Sequence, residues 1–147
     1  MTLKLPSEID LKHSKLFRRS DGIVEVTGID HTYSVSDIKD INKAIGEITG
    51  NKKTLLLCVS SNYSEVDSEA RHFMSTPEAT VYSIAEAYVI KSLAQRLILN
   101  FIIKVTGTDA PVRFFTDKES SIEWLMSHNQ SKEKNKNKDP HFETLLS

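Results

Sequence analysis

The stretch TVYSIAEAYVIKSLAQRLILNFIIKV, residues 80–105, joins two apolar segments with almost no polar interruption. Residues 84–90 are apolar except for Glu86, which is typical of a strand buried on both faces in the middle of a sheet. Read with a period of two, one face of this strand carries small side chains, and the other carries Tyr82, Glu86 and Tyr88. Because burying an unpaired carboxylate is costly, Glu86 is expected to have a donor, to be protonated or to reach the end of the sheet.

A helix is predicted to follow from Ser92 to Thr106, with Gly107 at its end. Apolar side chains at helical spacing predict the face that packs on the core: Ala94, Leu97, Ile98, Phe101, Ile102 and Val105. Leu99 and Ile103 lie one turn apart outside this stripe and predict a second apolar ridge, directed away from the core. Either another part of the domain covers this Leu99/Ile103 ridge, or a partner does.

The remaining elements place this central stretch in a mixed sheet. Ser20-Asp21-Gly22, between strands at 15–19 and 23–29, predicts a hairpin. The other predicted elements are a helix at 34–49, a strand at 54–59, a helix at 67–75, a strand at 112–115 and a final helix that contains Trp124. Strands that alternate with helices after an opening hairpin predict an α/β fold with about five strands and about four helices.

Three regions are predicted along the chain of 147 residues. Residues 1–14 have little pattern and are interpreted as an irregular N-terminal arm, and residues 15–128 as a single α/β domain. Residues 129–147 are interpreted as a polar, disordered C-terminal tail, because the run SKEKNKNKDP cannot repay its ordering entropy by burial.

Composition and charge limit the cellular compartments and the classes of partner that the sequence predicts. A formal net charge of −1 gives no electrostatic argument for nucleic acid or for an anionic membrane. Cys58 is the only cysteine and lies in the apolar run 55–59, where a thiol is most often a small buried hydrophobe. With no visible signal peptide and no segment long enough to cross a bilayer, the chain is predicted to be cytoplasmic.

No chemical motif stands out in the sequence. There is no G-x-S-x-G segment, and none of the five glycines precedes a helix as a phosphate cradle would require. The five histidines lie at scattered positions without an i,i+4 partner: His13, His31, His72, His128 and His141. The sequence therefore predicts no catalytic residue, no metal site and no cofactor.

Five short segments between Phe17 and Ser127 carry a family resemblance. They are Glu69-Ala70-Arg71, Ala85-x-Ala87-x-Val89, Asn100-Phe101, Pro111-x-x-Phe114-Phe115-x-Asp117 and Glu123-Trp124-Leu125. In these segments and in its order of elements, the sequence resembles the small bacterial SpoIIAA-like domains of the STAS/CRAL-TRIO type. The resemblance implies a STAS-like mixed sheet of about five strands with helices packed on it. It also implies a non-enzymatic regulatory or binding module.

The loop after the strand at 54–59 departs from the pattern of that family. Anti-sigma-factor antagonists of this fold carry a phosphorylatable serine in an Asp-Ser-(Ser/Thr/Ala)-Gly motif at a helix start, whereas this loop reads SSNYS at 60–64. A phosphate at a helix N-terminus would be favourable, but serines in a loop are usually ordinary loop residues. Partner switching through phosphorylation is therefore a minor alternative.

The first hypothesis for function is a regulatory or protein-interaction module. Its binding surface is predicted near Ser60 and Ser61, near Arg71 in the second helix, and on the Leu99/Ile103 ridge. The partner would be another protein or a second copy of the chain.

Two further hypotheses remain. A carrier of a small apolar molecule or lipid would have its pocket between the bulky strand face around Glu86 and a helix. An enzyme without a recognisable motif would rest on Glu86, or on His72 and Arg71 in one cleft.

Overall fold

The computed structural model describes residues 4–137. Its elements follow one another as β1 (Glu8–Asp10), β2 (Ser14–Arg18), β3 (Val24–Gly28), β4 (Thr32–Tyr33), α1 (Val35–Thr49), β5 (Thr54–Val59), β6 (Glu65–Val66), α2 (Ser68–Met74), β7 (Ser83–Val89), α3 (Leu93–Thr106), β8 (Val112–Phe115) and α4 (Lys118–Asn137). The main sheet has the order β1-β2-β3-β5-β7-β8, and β4 and β6 form a separate pair. The predicted mixed α/β sheet is confirmed, with six strands in place of about five.

The predicted hairpin consists of β2 and β3, which pair antiparallel. Gly22 lies in its turn with a φ of 88°, a conformation that costs glycine little because it has no Cβ. From β3 onward the neighbours β3, β5, β7 and β8 run parallel, because a connection with a helix separates each pair along the chain. The strand at 54–59 is therefore central, as its continuous apolar sequence predicts.

Sequence signals place both ends of α1. Ser34 Oγ accepts a hydrogen bond from the backbone N–H of Asp37, and the Asp37 carboxylate accepts one from the backbone N–H of Ser34. This capping box satisfies two amides that the helix itself leaves free. Gly50 ends the helix in the left-handed region, with a φ of 65°. Ile45 is buried and packs on the sheet through Leu56.

The small face of β7 lies against α4, as its alternation predicts. Ala85 and Ala87 are fully buried and share a core cluster with Leu57 and with Leu125 of α4. Side chains of this size allow the helix axis to approach the sheet closely. The bulky face of β7, which carries Glu86 and Tyr88, is left on the opposite side of the sheet.

The orientation of α3 is the opposite of the predicted one. Leu97, Ile98 and Phe101, which the periodicity assigned to the core, are 57, 59 and 67 % exposed. Leu99 and Ile103, which were expected to point away from the core, are half-buried. Both faces of this helix are apolar, so periodicity alone could not decide which one meets the sheet.

Asn100 supplies the physical reason for this orientation. Its side-chain Nδ2 donates to the backbone carbonyl of Phe114 at 3.0 Å, and its Oδ1 accepts from the backbone N–H of Phe114 at 2.8 Å. These bonds pair the helix with the outer edge of β8, whose backbone groups have no neighbouring strand. The side of α3 that carries Asn100 therefore faces the sheet, and Leu99 and Ile103 turn inward with it.

The two terminal regions also differ from their interpretation. The predicted irregular arm, residues 1–14, contains β1, which pairs antiparallel with β2. The predicted disordered tail, residues 129–147, is helical as far as Asn137, and residues 1–3 and 138–147 lie outside the described part of the chain. Within residues 4–137, no helix combines the length and the apolar composition that crossing a bilayer requires.

Candidate binding cavity

A cavity of about 780 Å³ lies on the face of the sheet opposite α4. The sheet side of its wall is formed by nine residues from five neighbouring strands: Ser14, Val26, Gly28, Leu56, Cys58, Val59, Glu86, Tyr88 and Phe114. The opposite wall includes residues of three helices: Ile38, Ile41, Asn42 and Ile45 of α1, Arg71 and Met74 of α2, and Gln95, Ile98 and Leu99 of α3. Most of these groups are apolar, and the volume falls within the range of small-molecule sites.

Glu86 is the buried carboxyl group of this cavity, with 6 % of the residue exposed. Ser83 Oγ donates to its Oε2 and Tyr88 Oη donates to its Oε1, each at 2.6 Å. Burial raises the pKa of Glu86, and the two hydrogen bonds act against that rise without cancelling it. The expected donors are therefore present, and they are neutral hydroxyl groups.

Tyr88 connects this carboxyl group to its surroundings. Its ring stacks on Phe114 of β8 with centroids 5.1 Å apart. Burial raises the pKa of Tyr88 well above its ordinary value, and the neighbouring Glu86 raises it further. Burial likewise raises the pKa of the Cys58 thiol, so the thiol stays protonated and is a poor nucleophile.

Arg71 and Ser60 bring polar groups to the other side of the cavity. Both residues contribute to its lining. The Arg71 guanidinium donates to the backbone carbonyl of Val66 at 3.3 Å and is exposed to solvent. The backbone N–H of Ser60 donates to the carbonyl of Val89, which fixes the start of the loop that follows β5. The cavity thus has an exposed cation on one side and a buried carboxyl group on its floor.

Ile98 marks the boundary between cavity and solvent on α3, because it is 59 % exposed and also lines the cavity. The neighbouring Leu97 is equally exposed, at 57 %, but is absent from the lining. Leu93 and Phe101 lie on the same outer side and are 56 and 67 % exposed. The apolar surface of the cavity therefore continues onto the outside of α3.

Comparison with known proteins places this fold in a family. Residues 17–129 match the family described as a domain of unknown function, DUF7793. The chain belongs to this family. No curated protein matches the sequence.

A solved structure similar to this DUF7793 domain is that of an uncharacterised protein of the DUF3478 family from Shewanella loihica PV-4, described as having a SpoIIAA-like fold. The two chains are 15 % identical, the match covers 85 % of this chain and 98 % of the other, and the TM-score is 0.52. At this identity the likeness shows the fold alone. It confirms the SpoIIAA-like fold that the short sequence segments implied.

The cavity of this DUF7793 domain brings together four of the six residues that the sequence singled out. Ser60, Arg71, Glu86 and Leu99 all line it, although they come from four different elements or loops. The other two lie elsewhere: Ser61 donates to Asp30 Oδ1 at 2.6 Å, and Ile103 is half-buried one turn beyond Leu99. Their role in binding remains a prediction.

Several cavity residues were missed by sequence reasoning. The periodicity of α3 predicts Ile98 in the core, and the apolar run around Cys58 predicts an ordinary buried hydrophobe. The signal that could have corrected Ile98 is Asn100, since a carboxamide between apolar neighbours needs a polar partner when it is covered. Asn100 indicates which side of α3 faces the backbone of β8. This orientation would have placed Ile98 at the rim of the cavity.

Proposed function

We propose that this protein is a non-enzymatic binding module that holds one small, largely apolar molecule between its sheet and the helices α1, α2 and α3. The observation that supports this proposal most is the cavity of about 780 Å³ around Glu86. Ligand sites are typically concave and apolar with few polar groups, and this cavity fits that description. Of the hypotheses drawn from the sequence, this is the carrier, which the structure favours over a purely surface-based interaction module.

The polar groups indicate how such a molecule would be oriented. Glu86 is buried and its pKa is raised, so its protonated form can donate a hydrogen bond to a neutral acceptor at the floor. Arg71 lies exposed on the helical side, where a polar or anionic end of the ligand would meet a positive charge without losing all of its water. The ligand class is therefore an amphiphile whose apolar body fills the cavity.

The same groups argue against an enzyme. A nucleophile needs an adjacent base, but burial raises the pKa of the Cys58 thiol, and the groups at Glu86 are two hydroxyls. The arrangement can bind and orient a molecule, and it offers no activated nucleophile among the described residues that line the cavity.

A titration with the neutral apolar probe N-phenyl-1-naphthylamine, followed by its fluorescence, tests the proposal. We expect one saturable site per chain. Ile98→Asp should weaken binding at least about tenfold, because it puts a charge at the rim of an apolar cavity. Leu97→Asp is the matched control, since this neighbour is equally exposed but does not line the cavity.

The pair of variants also separates a ligand in the cavity from a contact on the outer face of α3. Equal losses for Ile98→Asp and Leu97→Asp would mean that the probe lies on the outside of the helix, and the proposal would be wrong. Absence of saturable binding would reject it as well. Because both side chains are more than half exposed, both variants are expected to fold, which circular dichroism checks.

A further inference from the structure

A second cluster of polar side chains lies at the start of α1, and the cavity proposal does not use it. His13 comes from the turn before β2, His31 from the loop before β4, and Asp37 and Asp40 from the first turns of α1. His13 Nε2 lies 3.6 Å from Asp37 Oδ1 and 4.0 Å from Asp40 Oδ2. One ligand atom from each of these three residues lies within 4.8 Å of the other two.

These separations are too long for hydrogen bonds and suit a shared ion. A hydrogen bond from a ring nitrogen to a carboxylate is about 2.7–3.2 Å long. Atoms that bind one zinc ion through bonds of about 2.0–2.2 Å lie roughly 3–4 Å apart. The distances from His13 Nε2 to the two carboxylates, 3.6 and 4.0 Å, fall in the second range.

The ring of His13 is held so that Nε2 points at the carboxylates. Its Nδ1 lies 3.0 Å from Ser14 Oγ, which in turn lies 3.2 Å from Tyr33 Oη. Because Nδ1 is the ring nitrogen that meets Ser14, Nε2 is left to face the two carboxylates. A metal-binding histidine is commonly oriented in this way, through a hydrogen bond made by its other ring nitrogen.

The carboxylate of Asp37 is held from its other side. His31 Nε2 donates to Asp37 Oδ2 at 2.9 Å, and the backbone N–H of Ser34 donates to the same oxygen at 3.0 Å. Oδ1 is thereby left facing His13.

We propose that His13 Nε2, Asp37 Oδ1 and Asp40 Oδ2 bind one divalent transition-metal ion of the zinc type, with His31 holding Asp37 in place. One imidazole and two carboxylates form a ligand set that zinc accepts. Asp40 has 59 % of its side chain exposed, so the coordination positions beyond the three protein ligands face water. The proposal is independent of the apolar cavity.

The test is a titration of the full chain with Zn²⁺ by calorimetry and with Co²⁺ by visible absorption. We expect one equivalent of either ion to bind and Co²⁺ to show ligand-field bands. Asp40→Asn should weaken binding at least about tenfold, because it removes an anionic ligand. Glu47→Gln, an exposed acid later in α1, is the control and should leave binding unchanged.

Asp40 is exposed and accepts no hydrogen bond from the described residues, so its replacement tests the site without removing the capping box of α1. A chain that binds neither ion would overturn the proposal. Binding that Asp40→Asn leaves unaltered would overturn it too, because the ion would then lie elsewhere.

Discussion

Replacement of Asn100 by alanine tests how α3 is attached to the sheet. The side chain makes two hydrogen bonds to the backbone of Phe114, at 2.8 and 3.0 Å, and both are partly buried. Of the helix's large apolar side chains, Leu93, Leu97, Ile98 and Phe101 point outward. The attachment of α3 therefore depends on Asn100 as well as on inward-facing apolar side chains such as Leu99 and Ile103.

The magnitude follows from these two bonds. Each typically contributes about 0.5–1.5 kcal/mol to folding, so their loss costs about 1–3 kcal/mol. Alanine is a better helix former than asparagine by up to about 0.7 kcal/mol, which offsets part of that loss. We expect Asn100→Ala to lower the free energy of unfolding by about 0.3–3 kcal/mol.

Urea denaturation followed by circular dichroism measures this change. Gln95→Ala is the control, because Gln95 lies on the same helix, is exposed, and makes no side-chain hydrogen bond among the described residues. A stability equal to that of the wild type, or no difference between the two variants, would refute the view that Asn100 holds α3 on β8.

Two further predictions concern buried carboxylates. Burial raises the pKa of Glu86 in the folded chain above its value in the unfolded chain. Between these two pKa values the folded chain keeps the proton that the unfolded chain has lost. The free energy of unfolding therefore falls as the pH rises from the lower value to the higher one. Glu86→Gln should remove this fall in stability, which thermal melts of both proteins from about pH 5 to about pH 8 measure. Parallel stability profiles for Glu86→Gln and the wild type would contradict the prediction. Glu25 has 4 % of its side chain exposed and pairs with Arg19 and Lys118, each at 2.9 Å. Replacing both cations by methionine leaves Glu25 as an unpaired buried charge and should cost about 3–5 kcal/mol in urea denaturation, and a loss below about 1 kcal/mol would disprove the pairing.

Much of the fold could be predicted from local signals in the sequence. Ser34 with Asp37, Gly50, and the Asp-Gly turn at 21–22 act through the backbone of their own segment, so their effects do not depend on distant residues. The continuous apolar strand at 54–59 likewise indicates a central position without reference to its neighbours.

The orientation of α3 could not be predicted in this way. Apolar residues on both faces make its periodicity ambiguous, and the choice depends on Asn100 meeting the backbone of β8. That contact joins residues 14 positions apart and depends on β8 being the edge strand. Edge position is a property of the assembled sheet and not of any one segment.

The candidate sites likewise include one residue that the sequence alone could reveal and one cluster that it could not. Glu86 could be singled out because a carboxylate within an apolar strand is unusual wherever that strand lies. The cluster of His13, His31 and the two aspartates of α1 could not, because its histidines lie 18 positions apart and meet only once the hairpin and α1 are in place. The search for i,i+4 pairs detects only ligands that share one helix.

Native mass spectrometry of the freshly purified chain shows directly whether the cavity holds a ligand. We expect one small apolar molecule to be retained under non-denaturing conditions and released under denaturing ones. We expect the same for Leu97→Asp, and loss of the bound molecule for Ile98→Asp. Repeated preparations that show only the mass of the bare polypeptide, together with no saturable binding of the apolar probe, would rule out a ligand-binding cavity.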